Sequence, residues 1–277
     1  MILHPLDSAE NKMIRTVIHL LSSRRFRERG GRAVVEGRRI VEEALSSGVS
    51  FQFVLYSPRF LQDPHNKSVL ARLQAQSVRL LYVTDRLLES ISAVETSQGI
   101  LGVIDWSLPQ RDFFPPTVGP SLFVVAEAVQ DPGNLGTLIR SAQACGAHGL
   151  GVTRGTVEVF NPKTLRASAG SVFRMPIFQL SEDWVECAVG QAMTLRTTDV
   201  SAHRAYDEVS WTEPVIVVLG NEGNGLRWAS EHGEAMHIPM VPTADSLNVA
   251  IAGSIILFHA VSVRRRAGIF QTPLDVV

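Results

Sequence analysis

Cysteine, tyrosine and net charge are all scarce in this chain: two Cys and three Tyr in 277 residues, with a formal charge of −1. Cys145 and Cys187 stand far apart in apolar contexts, which excludes a disulfide scaffold and the clustered Cys/His spacing of a zinc site. No metal set is expected, and a reducing cytoplasm is the natural compartment. The longest apolar stretch, residues 247–263, is interrupted by Asn248 and His259 and falls short of the roughly 20 residues that span a bilayer. It reads as a buried helix, so no membrane partner is expected. Residues 1–11 carry Asp7 and Glu10 without the basic-then-apolar order of a signal peptide. Phosphate loops are missing too. There is no Gly-x-x-x-x-Gly-Lys-Ser/Thr, and the stretch from Gly149 through Gly151 to Arg154 lacks the third glycine of a dinucleotide fingerprint. Phosphoryl and hydride transfer, and with them a nucleotide- or NAD-binding α/β enzyme, lose ground. Neither a Gly-x-Ser-x-Gly elbow nor a His-Glu-x-x-His helix occurs, and the eight scattered histidines read as structural.

An apolar content of 45% supports a substantial core, enough for one large or two ordinary domains. Charge is unevenly spread. Residues 1–106 carry +3 and the remainder −4, and the first 40 residues alone carry +5, from Lys12 and eight arginines that include Arg38 and Arg39. Such a run is either a solvated face or a phosphate-contacting patch. Four prolines between Trp106 and Pro120 interrupt the patterning, which places a linker at 107–120 between a domain at 1–106 and another at 121–277.

Periodicity in the first domain predicts strands at 33–37, 51–56, 80–83 and 99–104, with helices at 38–47 and 68–76, after a basic helical extension. The second domain alternates regularly: strands at 121–126, 150–153, 175–179, 193–197 and 215–219, a helix from 135 to 145 ended by Gly146, and another beginning at Asn161-Pro162. Alternation of this kind predicts an α/β fold with a parallel sheet. The final helix is expected to start with Asp245 or Ser246 as its cap. Being apolar nearly all round, it should be buried all round, with part of it packed on a second subunit.

Three segments each join an apolar strand to a loop of Gly, Asn and Pro: Asp131 to Gly136 leading to Arg140, Leu219 to Gly225, and Ile238-Pro239-Met240 followed by Asp245 to Asn248. Arg140 is the only Lys, Arg, Asp or Glu between Pro132 and Thr153. It is open whether Arg140 pairs with Asp131, snorkels to solvent, or presents a fixed guanidinium to phosphate or a developing oxyanion. Three glycines among residues 220–225 point to a ligand loop, with Glu222 either capping its amides or orienting substrate.

In this order the segments resemble the three motifs of the SpoU (TrmH) family of RNA ribose 2′-O-methyltransferases, in the SPOUT superfamily. The resemblance covers residues 122–263 and includes the stretch Asn161 to Gly170. Residues 35–38 and 97–100 look like parts of the ribosomal-protein-like RNA-binding domain that precedes the catalytic domain in rRNA-modifying members. The family implies a SPOUT domain with a deep trefoil knot, an exception to the rule that chains do not thread their own loops, and a homodimer formed through the C-terminal helix. By resemblance, Leu219, Gly220, Ile238, Met240 and Leu247 surround S-adenosylmethionine, while Asn134, Arg140, Glu222, Ser246 and Asn248 act on or position the substrate. Arg38 and Arg166 are the expected RNA contacts. The activity so implied is ribose 2′-O-methylation of RNA, with rRNA ahead of tRNA. The alternative is a noncatalytic knotted RNA-binding dimer.

Overall fold

The computed structural model describes residues 5–269 other than 113, 116, 118, 224, 227 and 228. They fall into two compact units, one of residues 1–107 with 158–173 and one of 108–157 with 174–277. In chain order the strands are β1 Arg32–Glu36, β2 Phe51–Tyr56, β3 Leu80–Tyr82, β4 Ile100–Asp105, β5 Gln110–Arg111, β6 Leu122–Ala126, β7 Gly149–Val152, β8 Ile177–Leu180, β9 Thr194–Thr198, β10 Val215–Leu219 and β11 Glu234–Met236. The helices are α1 Lys12–Ser22, α2 Arg24–Gly30, α3 Arg38–Ser46, α4 Pro58–Leu61, α5 Asn66–Ala75, α6 Asp85–Ile91, α7 Pro132–Ala144, α8 Pro162–Ala167, α9 Trp184–Gly190 and α10 Val249–Arg266.

The first unit is built on a mixed four-stranded sheet in the order β1-β4-β2-β3. Its core joins Ile14, Val17 and Leu20 of α1 to Phe53, Leu55, Leu101 and Val103 of the sheet and Leu87, Leu88 and Ile91 of α6. Segment 158–173 belongs to this unit rather than to the second, where the sequence expectation had put it. Arg27 explains the attachment. It is 5% exposed and forms a two-pronged ion pair with Glu158, Nε to Oε1 at 2.8 Å and Nη2 to Oε2 at 2.6 Å, while Trp106 packs edge-on against Phe160 and Phe173. Helix α8 stops at Ala167, because Ala169 and Gly170 turn left-handed.

Seven strands, every adjacent pair parallel, form the second sheet in the order β11-β9-β10-β6-β7-β8-β5. Burial on both faces explains why β6 and β10 read as unbroken apolar runs. The expected linker is corrected here. Residues 110–111 pair with β8, and Phe114 is buried among Phe123, Phe178 and Trp184, its backbone held by both ends of the Gln191 amide. Prolines concealed a short edge strand and a core aromatic.

Helix α10 also departs from expectation at its start. Residues 241–247 are not helical, and Asn248 is the cap, its Oδ1 accepting from the amides of Ala250 and Ile251. Its apolar circumference is not fully covered within one chain, since Ile251 is 50% and Phe258 52% exposed. At the other end Arg264 is wholly buried and donates to four carbonyls: Pro120 at 2.8 Å, Ser121 at 2.9 Å, Trp211 at 2.7 Å and Glu213 at 2.7 Å. Burial brings its pKa down to about 10, partly offset by Glu213, and leaves it charged at neutral pH. No helix among the described residues is long and apolar enough to cross a membrane. Replacing Arg264 with Met should orphan these carbonyls and cost about 3 kcal/mol or more. Thermal or urea unfolding would register the loss, and a variant as stable as wild type would contradict the assignment.

Candidate functional site

In a parallel sheet every strand ends at the same edge, and open α/β sheets collect ligands there. Here that edge brings together the loops after β6, β9, β10 and β11. Helix α7 starts after β6 with Asp131 as cap, its Oδ1 accepting from the Asn134 amide at 2.9 Å, and Pro132 in the first turn.

Glu222 is the hub of the site. Its carboxylate accepts from the backbone amides of Gln130 at 3.1 Å and Asp131 at 3.2 Å and from Asn134 Nδ2 at 2.9 Å. Asn134 Oδ1 in turn accepts from Asn248 Nδ2 at 2.8 Å. One hydrogen-bonded series, Glu222 to Asn134 to Asn248, thus ties together three segments that lie far apart in sequence. Burial pushes the Glu222 carboxyl up, but Asn134 and the surrounding backbone amides together hold it below the usual carboxylate range. An anion so stabilised is a weak base, which fits positioning better than proton abstraction.

The loop after β10 closes on itself. Asn221 and Gly225 exchange backbone hydrogen bonds at 2.9 and 3.0 Å, and Asn221 Nδ2 donates to Ala128 O at 2.9 Å. A Cβ on Gly220 would come within 2.6 Å of the Gly225 backbone. Loop closure already requires that glycine, so its presence alone does not demonstrate a ligand. Asn224 lies outside the described residues, as do 227 and 228; residues 229–231 form a single 3-10 turn.

Next to this series lies a cavity of about 670 Å³ whose lining includes Leu219, Gly220, Ile238, Met240 and Leu247 together with Glu222, Ser246 and Asn248. The structure thereby brings eight of the expected site residues to one cavity, with Asn134 bonded at its edge. Arg140 is the exception. It is exposed on α7, does not line the cavity, and makes no hydrogen bond or ion pair with another described residue. Arg38 and Arg166 both fall in the first unit.

Sequence reading missed Thr197, Thr198, Asp199 and His237, which also line the cavity. His237 Nδ1 is buried there without a hydrogen-bond partner. A usable signal existed for the first three, because they end a strand of a parallel sheet. Nothing local singled out His237. Among the described residues no cluster of His, Cys, Asp and Glu could hold a metal ion.

Comparison with known proteins adds the lineage. Residues 121–258 match the SpoU rRNA Methylase family, and residues 11–102 match the MRM3-like substrate binding domain. The 23S rRNA (uridine(2479)-2′-O)-methyltransferase of Streptomyces viridochromogenes is 30% identical over 92% of this chain and 91% of its own. The chain belongs to the SpoU rRNA methylase family. Another SpoU relative, the 23S rRNA (guanosine(2553)-2′-O)-methyltransferase RlmP of Bacillus subtilis, is 27% identical over 92% of this chain and 98% of its own. The crystal structure of the AdoMet-bound rRNA methyltransferase from Sinorhizobium meliloti is similar to this chain with a TM-score of 0.82 at 30% identity, covering 95% of this chain and 98% of that one.

A depressed carboxylate gives the site a signed pH dependence. The order that Glu222 contributes is complete above the unfolded glutamate value of about 4.3 and is lost as pH falls through the lower folded value. Carboxyl NMR should follow this titration. Asn134→Ala, which removes one of the donors, should move the Glu222 midpoint upward, and an unchanged midpoint would contradict the geometry.

Proposed function

We infer that this SpoU protein is an S-adenosylmethionine-dependent methyltransferase acting on a ribose 2′-hydroxyl of ribosomal RNA. The observation that carries the reading is the Glu222–Asn134–Asn248 series, which assembles the three motif segments beside one cavity. Relatives named for 2′-O-methylation of 23S rRNA favour rRNA over the tRNA alternative. A noncatalytic RNA-binding dimer would have no use for an ionised carboxylate fixed at the mouth of a cavity.

The cavity suits the cofactor. Leu219, Ile238, Met240 and Leu247 offer apolar walls for adenine and an aliphatic chain, and the unpartnered His237 Nδ1 offers a polar contact. Once bound, S-adenosylmethionine supplies a methyl group on a cationic sulfonium, already electrophilic toward a sugar oxygen. The protein's task is then positioning. Asn134 and Asn248 engage each other and Glu222, so they hold the loops in register. Ser246 lines the cavity and makes no hydrogen bond with a described residue, which leaves its hydroxyl available to the ribose.

Arg140 is assigned the substrate phosphate and the alkoxide character of the attacking oxygen, since a guanidinium donates hydrogen bonds and is a poor base. Because it does not line its own cavity, we place it in the cavity of a second copy. The next residue, Ser141, bonds Ser254 of α10 at 2.7 Å, and α10 carries an exposed apolar stripe of Ile251, Ile255 and Phe258. Covering that stripe would form a homodimer and leave both cations at the interface. A deep trefoil knot in the second unit is part of the same reading. It is supported by a chain that passes β10, returns to pair β11 with β9, and then lays α10 on β10 and α7. The first unit, with Arg38, Arg166 and the basic helices, is read as the RNA-binding part, and the cytoplasm as its compartment, where Cys145 and Cys187 stay as free thiols.

Purified protein incubated with methyl-labelled S-adenosylmethionine and ribosomal RNA should label a ribose 2′-oxygen. Arg140→Ala should lower kcat by about 10²-fold or more, the scale of losing a preorganised charge-stabilising donor, and Arg140→Lys should recover only part. Label appearing on a base, or none at all, would end the proposal. Phe258→Glu should shift the protein from dimer to monomer in sedimentation and lower activity with it. A variant that remains dimeric would refute the α10 interface.

A further inference from the structure

We propose that the first unit holds a pocket for one extruded RNA nucleotide, at the start of α3, reading a base edge and its phosphate together. The proposal rests on the reading of this unit as RNA-binding and names the subsite within it. A cavity of about 530 Å³ is lined by Arg38, Arg39, Glu42, Asp63, Asn66 and Gln98. That volume lies within the roughly 300–1,000 Å³ of small-molecule sites.

The pocket is built from separated stretches, and its framework is fixed. Gly37 adopts φ +102°, and a Cβ there would come within 3.1 Å of Gln98 Oε1. That oxygen accepts the Arg38 amide at 2.7 Å. The Arg38 guanidinium is held by Glu42 at 3.2 Å and Asp63 at 3.5 Å.

Three groups remain uncommitted among the described residues. Asn66 is 7% exposed and its Nδ2 donates to Phe60 O at 2.8 Å, yet its Oδ1 has no partner. A buried acceptor without a donor is costly and marks a place where a ligand can supply the hydrogen. Gln98 Nε2 has no acceptor among the described residues, and the exposed Arg39 makes neither a hydrogen bond nor an ion pair with them.

An acceptor, a donor and a cation around one cavity match a nucleotide. Each RNA base carries an N–H donor beside an acceptor on its Watson–Crick edge, and its phosphate follows at the sugar. Inorganic phosphate matches less well, because it has no base edge to meet Asn66 Oδ1 and Gln98 Nε2 together, and as a free anion it faces Glu42 and Asp63, which already neutralise Arg38. A metal ion is disfavoured by Arg38 and Arg39 at the same cavity.

The test titrates isotope-labelled full-length protein with the four nucleoside 5′-monophosphates, the four nucleosides and inorganic phosphate, following side-chain amides by NMR. With at least one monophosphate, the Asn66 and Gln98 signals should shift on a common saturation curve. That monophosphate should bind about tenfold tighter than its nucleoside, as expected for one charge-assisted contact. Arg39→Ala should abolish this difference. Gln98→Glu keeps the acceptor for the Arg38 amide but removes the donor, and should weaken binding about fivefold or more without lowering Tm. The proposal is overturned if inorganic phosphate produces the same shifts, if Asn66 does not respond, or if Arg39→Ala binds like wild type. Failure of wild-type protein to methylate RNA would sink the functional reading instead, and the titration decides the pocket independently of it.

Discussion

One carboxylate organises the second unit. Glu222 sits where the loop after β10 meets the first turn of α7, and its charge is matched by two backbone amides and Asn134 Nδ2. Asn134 then passes the connection to Asn248 through its carbonyl oxygen. An amide can do this because it donates at one end and accepts at the other. Aspartate in its place would set two anions against each other, and leucine would leave the Glu222 charge short of a donor.

The last helix is anchored at both ends by the same economy of polar groups. Asn248 caps its start while engaging Asn134, at the edge where the strands finish. Arg264, four turns later, gathers carbonyls from Pro120 and Ser121, just before β6, and from Trp211 and Glu213, just before β10. An 18-residue helix is about 27 Å long, enough to run from one end of the sheet to the other. A helix held in this way presents its remaining stripe, Ile251, Ile255 and Phe258, as a rigid surface.

Strands such as 51–56 and 215–219 were readable to the residue because unbroken or alternating apolar runs have no other stable use. The strand at 110–111 was hidden among prolines, and a two-residue edge strand has too little pattern to detect. Segment 158–173 carries ordinary helix signals, so its membership of the first unit depended on the Arg27–Glu158 pair, made across 131 positions. In the sequence Arg264 is one of three consecutive arginines, with nothing local to distinguish it from Arg265 and Arg266. Only its position on the inward face of α10 makes it a buried four-carbonyl donor. His237 gave no sign in the sequence, since a lone histidine beside a strand has many uses.

The order and chemistry of the three motif segments, the parallel α/β alternation and the SpoU lineage follow from the chain alone, because local pattern and residue type are properties of neighbours along it. Which amide reaches Glu222, which arginine is buried and which stays exposed, and which stripe of α10 lacks cover depend on contacts between residues far apart in the chain, such as 51 positions for Arg264 and Glu213 and 92 for Glu222 and Gln130. Arg140 shows the division best. Its isolation as a lone charge is plain in the sequence, whereas its absence from the cavity of its own chain is a matter of helix phase and strand order, which exist only once the sheet has formed.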